Sequence, residues 1–314
     1  MSTARNIPND HGLSLRMFFT GLMLVLLYGA VIGLLIAFGI SYVVVLVFAA
    51  VILFVQYWFS DKIALFGMGG HIVTPEQEPQ LHGVIDRLCA LADMKKPRVA
   101  IADTDVPNAF ATGRSPNSAV VCATSGLMRR LDESELEAVL AHELSHVAHR
   151  DVAVMTIASF LGVVAGLITR IMFWTGMMGG FGGGRNNNNN SGGGQDNAAM
   201  VELIVLAVSV AVYAISFLLT RALSRYRELA ADRSGALLTG QPSALASALV
   251  KVTGEMSRIP TRDLRAAESF NAFYFTPALA TKGVSLSTLF STHPSLDKRL
   301  AQLASIEAEL GRPS

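Results

Sequence analysis

The sequence predicts a mainly α-helical membrane protein with about four transmembrane helices and a sizeable domain outside the bilayer. Three observations lead there. The chain is too apolar for an aqueous surface, four of its stretches are long and apolar enough to cross a bilayer, and two more polar segments, 60–152 and 221–314, flank the second pair of stretches.

Hydrophobic residues make up 51% of the 314 and charged residues 16%, with a mean hydropathy of +0.44. A soluble domain carries about a quarter charged residues. The net charge of +1 gives no general electrostatic case for a nucleic-acid partner. Cys89 and Cys122 do not form a metal-ligand spacing. They read as two small buried hydrophobes in a reducing compartment, although spacing alone leaves a disulfide open.

The stretch from Met17 to Phe59 contains no charged residue. At about 20 residues per crossing it holds two helices, with a break near Gly39-Ile40-Ser41, and it is too long for a signal peptide. Two further apolar runs, 153–178 and 199–220, each suffice for one span. Arg170 and Glu202 lie toward the ends of these runs that face the intervening loop, where their side chains can snorkel to the interface. That loop, 179–198, is rich in Gly and Asn, cannot bury a core, and reads as a flexible connection. Arg5, Arg16, Lys62, Arg150, Arg221, Arg225 and Arg227 fall on one side of the spans; only Arg185 and the interfacial Arg170 fall on the other. The positive-inside tendency then places both termini and both large segments in the cytoplasm.

The first large segment contains a helix with a chemical signature. Asp132 can cap its first amides, and Glu135 three residues later completes a capping box. Leu131 and Leu136 occupy the positions of a hydrophobic staple. Leu136, Leu140, Leu144 and Val147 recur at helical spacing, so one side of this helix is buried and it continues toward the third span. His142 and His146 are four residues apart and project from one face. Two imidazoles so placed can bind one zinc ion. Glu143 reaches the rim of the same site and is suited to take a proton from a metal-activated water. A catalytic zinc keeps one position open for that water and lowers its pKa to about 7.

A third protein ligand is required. The pattern His-Glu-x-x-His-x-x-Gly-x-x-His is excluded, because His149 stands where its glycine would be and Val152 where its histidine would be. His149 reads instead as a helix-end residue. Just after the fourth span, Glu228 and Asp232 are again four apart on one helix face. Glu228 can complete a His-His-Glu set, and Asp232 can accept a hydrogen bond from the second nitrogen of a ligating histidine.

These residues resemble the HtpX family of membrane zinc metalloproteases, of the gluzincin type and distantly related to the CaaX-prenyl protease. The resemblance covers the leading hairpin, Asn108-Ala109-Phe110-Ala111-Thr112-Gly113, His142-Glu143-x-x-His146, the second pair of spans, Glu228-x-x-x-Asp232, and Ser291-Thr292-His293-Pro294-Ser295. It implies a zincin-like α+β catalytic domain with a small sheet. In it, an edge strand carrying Asn108, Ala109, Phe110 and Ala111 receives an extended substrate beside the metal. It also implies that His293 donates to the tetrahedral oxyanion, and that Arg299 is a candidate to orient nearby carboxylates. The organisation expected is a cytoplasmic N-terminal segment (1–16), a transmembrane hairpin (17–59), and the first part of the catalytic domain (60–152). Span three (153–178), the flexible loop (179–198), span four (199–220) and the second part of the catalytic domain (221–314) follow.

The implied activity is a one-zinc endopeptidase of the cell membrane. Glu143 would act as general base and then pass its proton to the leaving amine, with no covalent enzyme intermediate. Its substrates would be misfolded membrane proteins, removed under heat or envelope stress, and its other partner is the lipid bilayer. An inactive membrane scaffold or chaperone that binds unfolded segments is the alternative. The intact His142, Glu143, His146 and Glu228 weigh against it. A small transporter is disfavoured by the extent of chain outside the spans and the few polar groups within them.

Overall fold

A computed structural model describes residues 11–37, 42–113, 115–182, 195–256 and 293–311. The turn near Gly39, the centre of the Gly/Asn loop and Ser291-Thr292 lie outside the described residues, as does the side chain of Glu202.

The chain opens with α1 (His11–Ala37), α2 (Tyr42–Trp58) and a short α3 (Ser60–Gly67). β1 (Gly70–Ile72), α4 (Pro79–Leu91), β2 (Arg98–Ala102), β3 (Ala109–Thr112), β4 (Val120–Thr124) and α5 (Ser125–Arg130) follow. Then come α6 (Glu133–Ala148), α7 (Asp151–Gly182), α8 (Gln195–Thr239), α9 (Pro242–Met256) and α10 (Leu296–Leu310). The architecture is mainly helical around one small mixed sheet.

The sheet order is β1-β2-β4-β3. β2 and β4 run parallel, with Ala100 opposite Cys122, and the outer strands pair antiparallel. β4 (Val-Val-Cys-Ala-Thr) is buried at every position because helices cover both faces. On one face Leu81, Ile85 and Leu88 of α4 pack with Leu136, Leu140 and Leu144 of α6, Leu245 and Leu249 of α9, and Leu303 of α10. On the other, Ala64 of α3 meets Ala100, Phe110 and Cys122. β3 is left as an edge strand running beside α6. Both cysteines are buried and free, so no disulfide joins them.

The cap of α6 forms as its sequence predicts. Asp132 Oδ1 accepts from the Glu135 amide at 2.9 Å, and Glu135 Oε2 accepts from the Asp132 amide at 3.0 Å. Glu135 also accepts from Ser247 and Lys251 of α9, so one carboxylate closes the cap and docks a neighbouring helix.

Two helices among the described residues are long and apolar enough to cross a membrane, over Gly12–Val31 and Leu203–Thr239. The number rises to three if α6 and α7 are taken as one broken span. Phe18, Val25 and Leu26 of α1 and Leu203 of α8 are exposed, as lipid-facing side chains are. α7 and α8 pack against each other where α7 carries small residues: a Cβ on Gly162 would meet Ser216 at 3.2 Å, and one on Gly166 would meet Tyr213 at 3.2 Å. This is the small-xxx-small close approach found between helices in lipid. Thr220 Oγ1 donates to the Ala158 carbonyl across the same contact.

The sequence has α6 continuing toward the third span. Instead it stops at Ala148, Arg150 takes a left-handed φ of 56°, and α7 departs at 63°. At the other seam the helix is continuous: the fourth apolar run and the Glu228-x-x-x-Asp232 segment lie on one α8.

Candidate metal centre

α6 and α8 build the site by packing backbone against backbone. Gly235 makes this possible, since a Cβ there would fall 2.8 Å from His142 N and 3.0 Å from His142 Cα. On α6, His142 and His146 turn their Nε2 atoms toward each other, 3.2 Å apart. From α8, Glu228 brings Oε2 to 3.7 Å from His142 Nε2 and Oε1 to 3.4 Å from His146 Nε2. These three residues form the cluster able to hold a metal ion among the described residues.

The donor set fits zinc. Tetrahedral ligands at about 2.0–2.1 Å from the metal lie about 3.3–3.4 Å from one another, close to the three separations present. Burial pushes the His142 imidazole down against the pull of Asp232, favouring the neutral ring that binds metal.

Each donor is held from behind. His142 Nδ1 lies 2.9 Å from Asp232 Oδ1. Asp232 in turn accepts two bonds from the buried Arg299, at 2.7 Å from Nε and 2.6 Å from a terminal nitrogen. His293 Nδ1 contacts Glu228 Oε2 at 2.9 Å. His146 Nδ1 contacts Asp151 Oδ2 at 2.6 Å, and Asp151 is ion-paired with Arg227.

Glu143, buried on α6, reaches across to β3. Its Oε2 accepts from the Ala111 amide at 2.9 Å, which fixes the carboxylate against the edge strand. Burial pushes the Glu143 carboxyl up to about 7. The side chains of Asn108, Ala109 and Phe110 are buried. A cleft next to the metal donors is lined by Ala111, Thr112, Gly113, His146, Arg150 and Asp151.

The structure therefore brings together His142, Glu143, His146, Glu228, Asp232 and His293, with Ala111 beside them. Three contributors were not legible as such in the sequence. Asp151 reads as the acidic first turn of an apolar helix, Arg227 as part of a basic flank, and Gly235 as an isolated glycine in a helical run. The adjacent Arg150-Asp151 pair ahead of an apolar run was the available signal for a helix start, but not for its partner.

The model of peptidase family M48 matches residues 75–307. The chain is 58% identical over 303 residues to Protease HtpX homolog 1 of Streptomyces coelicolor, covering 96% of this chain and 95% of that one. It is 52% identical to the Protease HtpX homolog of Moorella thermoacetica, with 98% of each chain covered. To the homologue from Pyrococcus furiosus it is 38% identical over 93% of this chain and 96% of that one. Among solved structures, S. mikatae Ste24p shares the fold with a TM-score of 0.51 at 19% identity, covering 93% of this chain and 66% of that one. Matched nearly end to end by HtpX proteases, and over most of its length by the family model, the chain belongs to peptidase family M48 as a membrane metalloprotease of the HtpX group.

Proposed function

We propose that the protein is a zinc-dependent endopeptidase of the cell membrane that cleaves misfolded membrane proteins at a site on the cytoplasmic side. The observation that carries this reading is the convergence of His142 Nε2, His146 Nε2 and a Glu228 carboxylate at zinc-ligand spacing, with Glu143 beside them. A bound zinc ion would supply Lewis-acid polarisation of the scissile carbonyl and lower the pKa of a water to about 7.

The chain's own residues supply the rest. An extended substrate segment adds to the open edge of β3 by backbone pairing, which suits loose sequence selectivity. Glu143, steadied by the Ala111 amide, takes the proton of the attacking water and returns it to the leaving amine. His293 donates to the developing oxyanion; its position against Glu228 supports this role. Asp232 orients His142.

Four spans, with both termini and the catalytic domain cytoplasmic, follow from the apolar runs and the distribution of basic residues. His146 lies close to the start of α7, so the scissile bond would be cut near the membrane surface. Segments emerging from the bilayer are then the natural substrates in this reading, and a role in stress-linked quality control is the part of it that the family resemblance implies.

The test pairs zinc quantification with cleavage of casein in detergent. Glu143→Gln is expected to keep one zinc per chain and lose about 10²–10⁴-fold of its activity. Glu228→Gln is expected to lose zinc itself. Activity that survives Glu143→Gln, or that ignores a chelator, would sink the mechanism. A wild type that binds zinc but never cleaves would favour the scaffold reading.

A further inference from the structure

We infer that Asp151 is the positioning carboxylate of His146, and that Arg227 holds it in place. This rests on the zinc peptidase reading above and assigns a part of that site which the sequence motif does not contain.

The geometry begins with the break between α6 and α7. In an unbroken α-helix, residue 151 would lie about 7.5 Å along the axis from residue 146 and about 140° around it. Its side chain would point away from the histidine. Here the chain leaves α6 at Ala148, turns through Arg150 at a φ of 56°, and starts α7 at Asp151. The turn folds the carboxylate back onto the ring it would otherwise miss. Asp151 Oδ2 stands 2.6 Å from His146 Nδ1, and the carboxylate is buried to 7% exposure.

A hydrogen bond from Nδ1–H to a carboxylate fixes the tautomer and leaves the lone pair on Nε2. That Nε2 is the atom facing His142 Nε2 and Glu228 Oε1. Asp151 does not stand alone in the interior. Arg227, itself 7% exposed, pairs with it and donates to the His149 carbonyl at 3.2 Å, so one guanidinium ties the carboxylate to the end of α6. Arg227 is the chain neighbour of Glu228. A single turn of α8 therefore delivers a metal donor and the clamp that aims another.

The arrangement repeats the one at His142, where the roles are dealt to other helices. There the carboxylate, Asp232, comes from α8 and its arginine, Arg299, from α10. At His146 the carboxylate comes from α7 and the arginine from α8. A purely structural reading would make Asp151 only the acid in the first turn of α7. That reading gives Asp151 no influence on zinc affinity and Arg227 no reason to act through it.

The experiment uses the full chain in detergent, with zinc affinity measured by chelator competition below the melting temperature of every variant. The visible spectrum of the cobalt-substituted protein is recorded alongside. Asp151→Asn is expected to weaken zinc binding about 10–100-fold and to shift the cobalt bands. Arg227→Gln should weaken binding in the same direction, and the double variant should be no weaker than Asp151→Asn alone. Wild-type affinity and an unchanged cobalt spectrum in Asp151→Asn would overturn the role of Asp151. Additive losses in the double variant would overturn the role of Arg227. Should Asp151→Asn fail to fold, Arg227→Gln alone decides: undiminished affinity there removes the clamp. A wild type that binds no zinc defeats the peptidase reading itself, a result distinct from all of these.

Discussion

Gly235→Ala is a one-carbon change that should loosen the metal site without touching a donor. The new Cβ would sit 2.8 Å from His142 N, 3.0 Å from His142 Cα and 3.1 Å from the Ala141 carbonyl carbon, all backbone atoms that no rotamer change can move. Reaching an ordinary 3.4 Å contact requires α6 and α8 to part by about 0.6 Å at that point. Glu228 lies two turns earlier on the same rigid helix, so its separations of 3.4 and 3.7 Å from the histidine nitrogens open toward about 4 Å. That exceeds the spacing a tetrahedral zinc accepts. Overpacking of this kind costs about 1–3 kcal/mol, against about 1 kcal/mol regained because alanine prefers a helix to glycine. Global stability should therefore fall by no more than about 2 kcal/mol. The strain falls on the ligand pair, where 1–3 kcal/mol corresponds to about 5- to 150-fold weaker binding. Chelator competition on the purified protein reads this directly. Gly254→Ala on α9, where a Cβ meets nothing within 4 Å, is the control and should stabilise the fold slightly with zinc affinity intact. Wild-type zinc affinity in Gly235→Ala would show that the helix contact does not set the donor spacing.

Two further outcomes follow from burial. Arg299→Met leaves the Asp232 carboxylate, fully buried, without its bidentate partner, and should cost about 3–5 kcal/mol in thermal unfolding. Adding Asp232→Asn should recover part of the loss, and an unchanged melting curve for Arg299→Met would contradict the pairing. Cys122 is fully buried and its thiol is pushed up to about 12, while burial also raises Cys89. At pH 8 both remain thiols, so a chromogenic thiol reagent should count two groups only after denaturation; prompt reaction in the folded protein would contradict their burial.

The parts of the site legible in the sequence are those written within one helix. The cap at Asp132 and Glu135 and the shared face of His142 and His146 need only a helical period to be read. Glu228 and Asp232 share a helix face in the same way, and only their partner across the fold had to be inferred from the chemistry of a three-ligand zinc site. What escaped the sequence depends on contacts between distant elements. The order β1-β2-β4-β3 places a parallel pair inside a sheet of short strands, which no local pattern states; that the strand at 109–112 lies at the edge was expected from the family resemblance alone. Asp151 lies five residues from His146 and gains its position from a left-handed turn at an arginine, a conformation sequence propensity argues against.

The break between α6 and α8 in the chain has a consequence in time. His146 and Glu228 are 82 positions apart. At about 5–20 residues per second, a ribosome needs about 4–16 s to go from one to the other. During that interval the chain has emerged with His142, Glu143 and His146 but without Glu228 or Arg227, so the site as proposed above is incomplete. Competence to cut therefore waits for α8 to pack against α6 and α7. A hydrolase made among unfolded neighbours, itself unfolded at first, is inert for as long as it would be its own most available victim.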